Sequence, residues 1–315
     1  PITGTGNRCR FTCQPQIIIL TYKRNTMKTI VSYSLLLFFL SFFSTGCSED
    51  KPEGTIFDPS DIKRNQFDLW LLDHYVNNYN IDLKYRIEDM EIDQSYNLVP
   101  ATMDNSIKLA KLIKHLWLES YDEIAGIDFM RTYVPKVIHL IGSPAINAEQ
   151  QTEVLGTAEG GLMVTLYKVN ELNLNSIDSL NYYYFKTMHH EFAHILHQTK
   201  NYPKDFDKIS TSDYSPSGWM NRKEEEALQM GFVSPYASSE PQEDFVEVIA
   251  IYLIHSNAYW EELLEKAGTE GSTIIQKKFT IVRNWLRTSW NIDIDKLRST
   301  VERRSKEIQN LDYSL

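Results

Sequence analysis

Cysteine is almost absent from this chain: three in 315 residues, at Cys9, Cys13 and Cys47. The first two precede Met27, where a complete export signal begins, so an expected mature chain keeps Cys47 alone and has no disulfide framework. About 260 residues bury an adequate core without such staples, so the lack of bridges does not argue against an exported protein. Positive charge is also short, with 32 Lys and Arg against 42 Asp and Glu and a formal net charge of −10. That balance argues against nucleic acid as a partner. No repeat, no low-complexity run and no second long apolar segment follows the first, which leaves a single acidic, aromatic domain of moderate size.

The one long apolar stretch has a specific context. Met27-Lys28-Thr29 opens it, Ile30 to Phe43 forms it, and Ser44-Thr45-Gly46-Cys47 closes it with small residues. It is too short, and too near the start, to favour a spanning helix, and reads as a secretory signal. Cys47 directly after Thr-Gly is similar to the lipidation site of bacterial lipoproteins, although Ser44 stands where leucine is usual. The expected organisation is residues 1–26 as sequence upstream of the initiating methionine, 27–46 as signal peptide, 47–56 as lipidated cysteine and tether, and 57–315 as one catalytic domain. Within that domain an N-terminal lobe runs to about residue 200 and a C-terminal lobe covers 201–315. The acidic tether Ser48 to Glu53 resembles surface-export signals, so the expected location is the outer membrane, with outward display as a further expectation.

What the chain does have is concentrated histidine. Half of its eight histidines lie between Met188 and Gln198, in the order His-His-Glu-Phe-Ala-His-Ile-Leu-His. His190 and His194 are spaced i and i+4, so on a helix both imidazoles face one ion, and Glu191 projects beside them. Neutral imidazole suits Zn²⁺, and the glutamate is placed to take a proton from a water whose pKa the ion lowers to about 7. Asn181 to Gln198 has no Gly or Pro and repeats apolar residues at helical spacing (Tyr184, Phe185, Met188, Phe192, Ile195), which predicts a half-buried helix. Polar groups on such a helix are costly unless paired or bound to metal.

A catalytic zinc site needs a third protein ligand. His197 is on the same face but about 10.5 Å further along the axis, too far for three nitrogens each about 2 Å from one ion. It is expected behind a ligand, lining the substrate cleft or on polar surface, and His189 points off the face as a structural residue. Glu243 is the better ligand. Pro241 followed by Gln242, Glu243 and Asp244 reads as a helix start, and Phe245 to Leu253 continues it as apolar. Carboxylates at Glu243 and Glu247 on so hydrophobic a helix face something buried, and a cation suits them; the plain alternative is an acidic helix start in solvent. Glu247 is then expected to orient a ligand histidine. Tyr236 is a candidate donor to the oxygen that gains charge during attack, or else a packing residue of its Ser-Pro-Tyr-Ala-Ser-Ser loop.

The pairing of His190-Glu-Phe-Ala-His194 with Tyr236, Glu243, Phe245 and Glu247 resembles the gluzincin arrangement of the anthrax lethal factor catalytic domain and its relatives. In that arrangement a tyrosine seven residues before the ligand glutamate assists catalysis, which implies that role for Tyr236. More broadly, the lipoprotein-like start, Phe67 to Leu71, Tyr79 to Leu83 and the two zinc segments are similar to the substrate import-associated zinc metallohydrolase lipoproteins of Gram-negative bacteria. The resemblance implies a neighbourhood with TonB-dependent nutrient import and leaves the substrate open.

Elsewhere, Asp61 to Tyr79, Ser106 to Tyr121, Tyr252 to Lys266, Gly271 to Leu286 and Ile292 to Gln309 read as amphipathic helices. Lys136 to Ile141 and Gly161 to Tyr167 read as strands, the second as an edge that an extended peptide could join, and His139 as a sheet histidine. Lys200 to Gly231 reads as a loop bordering the cleft, with Tyr214 and Trp219 as its aromatic anchors or as substrate contacts. Arg298, Arg303, Arg304 and Lys306 read as a solvated face. Together these predict an α+β, zincin-like fold with an active-site helix and a mainly helical C-terminal lobe. The functional expectation is a zinc-dependent peptidase acting on peptides or proteins and held to the membrane only by its N-terminal lipid. The competing readings are a non-catalytic binding lipoprotein and a hydrolase of a non-peptide amide.

Overall fold

The computed structural model describes residues 63–87, 96–147, 152–154, 156–159 and 162–315. The expected upstream sequence, signal and tether, with Cys47, lie outside these residues. Asn65 opens the first helix with a reciprocal cap, its side chain accepting from the Asp68 N–H while Asp68 accepts from the Asn65 N–H. This helix, α1, runs through Gln66–Leu71, a π-helical stretch Leu72–Val76 and Asn77–Tyr79, and stops at Asn80 in the left-handed region. Strand β1 (Asp82–Lys84) follows. Helix α2 (Met103–Leu112, the π-helical Ile113–Leu118 and Glu119–Ala125) and α3 (Ile127–Tyr133) meet at Gly126, whose φ of +86° turns the chain between them.

The strands are β2 (Val137–Leu140), β3 (Ala145–Asn147), β4 (Thr152–Val154), β5 (Gly156–Glu159) and β6 (Met163–Leu166). Three of them, β2, β5 and β6, join β1 in a sheet of order β1-β2-β6-β5, parallel except for the last pair, and β3 and β4 pair separately. Val164 is in register with Ile138, and both are buried. The expected edge strand is therefore interior: β6 is hydrogen-bonded on both sides, and β1 and β5 are the edges among the described residues. The expectation failed because alternation along one strand cannot show whether its second neighbour exists. His139 is buried in β2.

Ser176 caps the next helix by accepting from the Ser179 N–H. That helix, α4, comprises Ile177–Leu180, the π-helical Asn181–Phe185 and Lys186–Thr199. Phe192 fixes it against the first half of the domain, since the rings of Trp117, Tyr121 and Phe129 all meet Phe192 edge-on at 5.0–5.9 Å. The segment after α4 is not all loop, because it contains a 3₁₀ turn at Trp219–Asn221 and helix α5 (Glu224–Gln229). Helix α6 (Pro241–Ile254) has proline in its first turn and is buried from Asp244 onward. It packs along α4.

The expected helix from Tyr252 to Lys266 is broken. α6 ends at Ile254, and Ser256 caps α7 (Asn257–Lys266) by accepting from the Tyr259 N–H. Helix α8 (Gly268–Trp290) ends at the left-handed Asn291, and α9 (Ile294–Ser305) is capped by Asp293. Three of the basic residues assigned to a solvated face of α9 are instead engaged with other elements. Arg298 is buried over the Tyr252 ring and donates to Asn257, Arg304 donates to Glu119 and Glu123 of α2, and the half-exposed Arg303 donates to Glu123 as well. A charge run cannot by itself show which of its members find partners on another helix. Residues 64–315 form one unit, an α+β arrangement, and among the described residues no helix is long and apolar enough to cross a membrane.

Candidate metal centre

The α4 spacing turns His190 and His194 to one side, and α6 lies opposite with Glu243 in its first turn. His190 Nε2, His194 Nε2 and Glu243 Oε2 form a small triangle with sides of 3.0, 3.2 and 3.3 Å. Ligand atoms about 2.05 Å from a tetrahedral ion are about 3.3 Å apart, so this triangle matches one face of a zinc tetrahedron. These three residues are the group among the described residues whose donor atoms could hold a metal.

The remaining ring nitrogens are engaged elsewhere, as metal-binding imidazoles require. His190 Nδ1 is 2.9 Å from Glu247 Oε1, and its N–H donates there, leaving the Nε2 lone pair for an ion. His194 Nδ1 is 2.9 Å from His197 Nε2. Burial holds His197 neutral, with its pKa down at about 4, so its Nε2 can accept from His194. His197 is thus placed behind a ligand and not at the centre. His189 faces away, fully buried, with Nδ1 3.1 Å from the Tyr121 hydroxyl; burial pushes its pKa down to about 3.

Glu247 is anchored by two residues that the sequence reading did not single out. Its Oε2 accepts from Ser234 Oγ at 2.6 Å and pairs with Lys186 Nζ at 2.9 Å. Burial opposes its charge, but Lys186 and His190 outweigh that and hold the carboxyl down at about 2. Lys186 sits one turn before His190 on α4, a spacing that could have marked it; nothing local pointed to Ser234. At Glu243 too burial is outweighed, here by the two imidazoles, which keep the carboxyl well below its ordinary range. Burial alone would lower the pKa of His190, but Glu243 and Glu247 outweigh it and raise it to about 9.

Glu191 is not part of the triangle. Burial lifts its carboxyl above the ordinary value despite the nearby imidazoles, toward the range useful to a general base. The Tyr236 ring lies 5.9 Å from that of His190 and edge-on to Trp219 at 4.9 Å. Burial and then the adjacent Glu243 carboxylate push its phenol pKa well up, so it stays a protonated donor. Trp219 thus packs on Tyr236, while Tyr214 anchors its loop by donating to Asp244 at 2.8 Å. The donor set, its spacing and its outer partners fit Zn²⁺.

Comparison with known proteins agrees with this chemistry. The family described as "Putative zinc-binding metallo-peptidase" matches residues 60–295. Among solved structures, the crystal structure titled as a putative zinc-binding metallo-peptidase from Bacteroides caccae is 52% identical, with a TM-score of 0.72, over 83% of this chain and 99% of that one. No curated protein matches significantly.

Proposed function

Because the chain belongs to this family of zinc-binding metallo-peptidases, we propose that it is a zinc-dependent peptidase in which His190, His194 and Glu243 hold the ion. The observation that carries this reading is the triangle of donor atoms at tetrahedral spacing, with the second nitrogen of each imidazole already bonded. A zinc ion held by these three residues would act as a Lewis acid and would lower the pKa of the attacking water toward about 7. Glu191 takes the proton from the attacking water and returns it to the departing amine, a role that its raised pKa favours. Tyr236, kept protonated, donates to the oxygen on which charge develops. Glu247 and His197 hold the two ligand rings in the orientation that this chemistry needs.

The substrate class is peptide or protein. The cysteine at position 47, its preceding apolar stretch and the acidic residues after it support an N-terminal lipid anchor. On that basis we assign the protein to the outer membrane, facing outward, and the resemblance to the import-associated lipoproteins supports a neighbouring TonB-dependent import system. Elemental analysis of purified protein tests the metal, with about one zinc per chain expected. Digestion of a broad peptide library tests the activity, which should vanish with chelator and in Glu191→Gln. A zinc-replete protein that cleaves no peptide but hydrolyses an acylated sugar or other amide would replace the peptidase reading. Radiolabelled palmitate incorporation that survives Cys47→Ala would remove the anchor.

A further inference from the structure

Lys278 of α8 is completely buried, and a buried ammonium is costly unless it is paired. Its Nζ lies 2.6 Å from Asp244 Oδ2, donates to the Gly231 carbonyl at 2.8 Å and sits 3.9 Å from the centre of the Phe232 ring. The same Asp244 oxygen accepts from the Tyr214 hydroxyl. Three segments distant in sequence therefore meet at one buried carboxylate: the loop after α4, the first turn of α6 and the middle of α8. The two pieces of chain that leave this knot both lead to Tyr236. From Gly231 it is five residues away, and Gly231 is itself held at φ +85° where a Cβ would meet Ile274 of α8 at 2.3 Å. From Tyr214 the next residue, Ser215, donates its N–H to the Ser238 carbonyl at 2.8 Å, and the same loop brings Trp219 edge-on to the Tyr236 ring.

We propose that Lys278, Asp244 and Tyr214 are positioning residues for Tyr236: their buried knot holds the turn that presents the phenol beside His190 and Glu243, and none of them touches the reacting atoms. This rests on the reading above in which Tyr236 is the donor. Replacing a buried ion pair by apolar residues of similar volume is often neutral or stabilising, so core stability alone does not account for a charged arrangement here.

Two measurements on the full chain test the proposal. Hydrogen exchange on metal-free protein needs no activity: Tyr214→Phe should speed exchange at Ser215, Ser238 and Ser239 about tenfold, as loss of one hydrogen bond to a charged group predicts, while α4 is unchanged. Kinetics of the zinc-loaded enzyme should show kcat down about tenfold, with KM and zinc affinity within about twofold. In a Tyr236→Phe background the same Tyr214→Phe change should cost less than about twofold, because the group it positions is gone. The double variant Lys278→Met with Asp244→Asn leaves no orphan charge, should fold, and should lose kcat to a similar degree. Equal losses with and without the Tyr236 hydroxyl, or exchange unchanged at the three serines, would overturn the inference. If the wild type cleaves no peptide yet exchange rises at those serines, the positioning of the turn stands and the peptidase reading falls.

Discussion

Replacing Glu247 by glutamine separates the metal site from the fold more cleanly than removing a ligand. The glutamine keeps shape and one acceptor, but His190 Nδ1 then donates to a neutral oxygen, and Lys186 Nζ loses its counter-ion. A hydrogen bond to a charged group contributes about 1.5–3 kcal/mol against about 0.5–1.5 for a neutral one, so the imidazole loses on the order of 1–1.5 kcal/mol of support. Outer partners of metal-binding histidines elsewhere control affinity by about 10–100-fold, equivalent to roughly 1.4–2.7 kcal/mol. We therefore expect zinc affinity, read by competition with a chromophoric chelator, to fall at least tenfold. Stability should fall less than for a sealed ion pair, on the order of 1–2 kcal/mol in urea unfolding, because a quarter of the Lys186 side chain remains exposed and can rehydrate. Adding Lys186→Met should restore stability and leave zinc binding weak. A folded Glu247→Gln protein whose zinc affinity stays within threefold of wild type would refute the claim that this carboxylate prepares His190 for the ion.

Other outcomes follow from the same geometry. Glu191→Gln should retain about one zinc per chain and lose turnover by about 10²–10⁴-fold, measured on a peptide found by library digestion; full activity in the metal-replete variant would remove the proton-transfer role. Tyr236→Phe should lower kcat by about 10²–10³-fold with zinc content unchanged, the loss expected for one donor to a developing oxyanion. In α2, burial would raise the Glu119 carboxyl, but His115, Lys114 and Arg304 outweigh it and hold its pKa down at about 2, against an ordinary 4.5. A carboxyl depressed in the fold stabilises fully above its unfolded pKa, so this contribution should be present above about pH 4.5 and disappear as pH falls toward 2. Urea midpoints across pH 2–7 should show that loss in wild type and less of it in Glu119→Gln.

Local periodicity made much of the centre legible. Histidines one helical turn apart must share a face, and an acidic pair on an otherwise apolar helix must meet something other than water, so His190, His194, Glu243 and Glu247 stand out before any coordinates are known. Punctuation was legible where residue chemistry is strong, as at Pro241, and was missed at Ser256, where a capping hydroxyl interrupts an apolar run. Placement across long sequence separations was not legible. That β6 has a neighbour on each side, that Arg298 covers the Tyr252 ring, and that Ser234 and Lys186 share one oxygen of Glu247 all depend on pairings between distant segments.

The amino-acid order alone determined the chemistry available to this protein: two imidazoles and a carboxylate side by side on one helix, a second acidic helix downstream, and an α+β set of elements. Those follow from backbone periods of 3.6 and 2 residues, which act over a few positions. Only the tertiary structure decided that the donor atoms of α4 and α6 converge to within 3.3 Å, which nitrogen of each ring faces inward, and that Lys278, 34 residues beyond Asp244, pairs with it in the core. Convergence of that kind comes from burying the apolar faces of helices against one another, a cooperative outcome of the whole core that no short window of sequence contains.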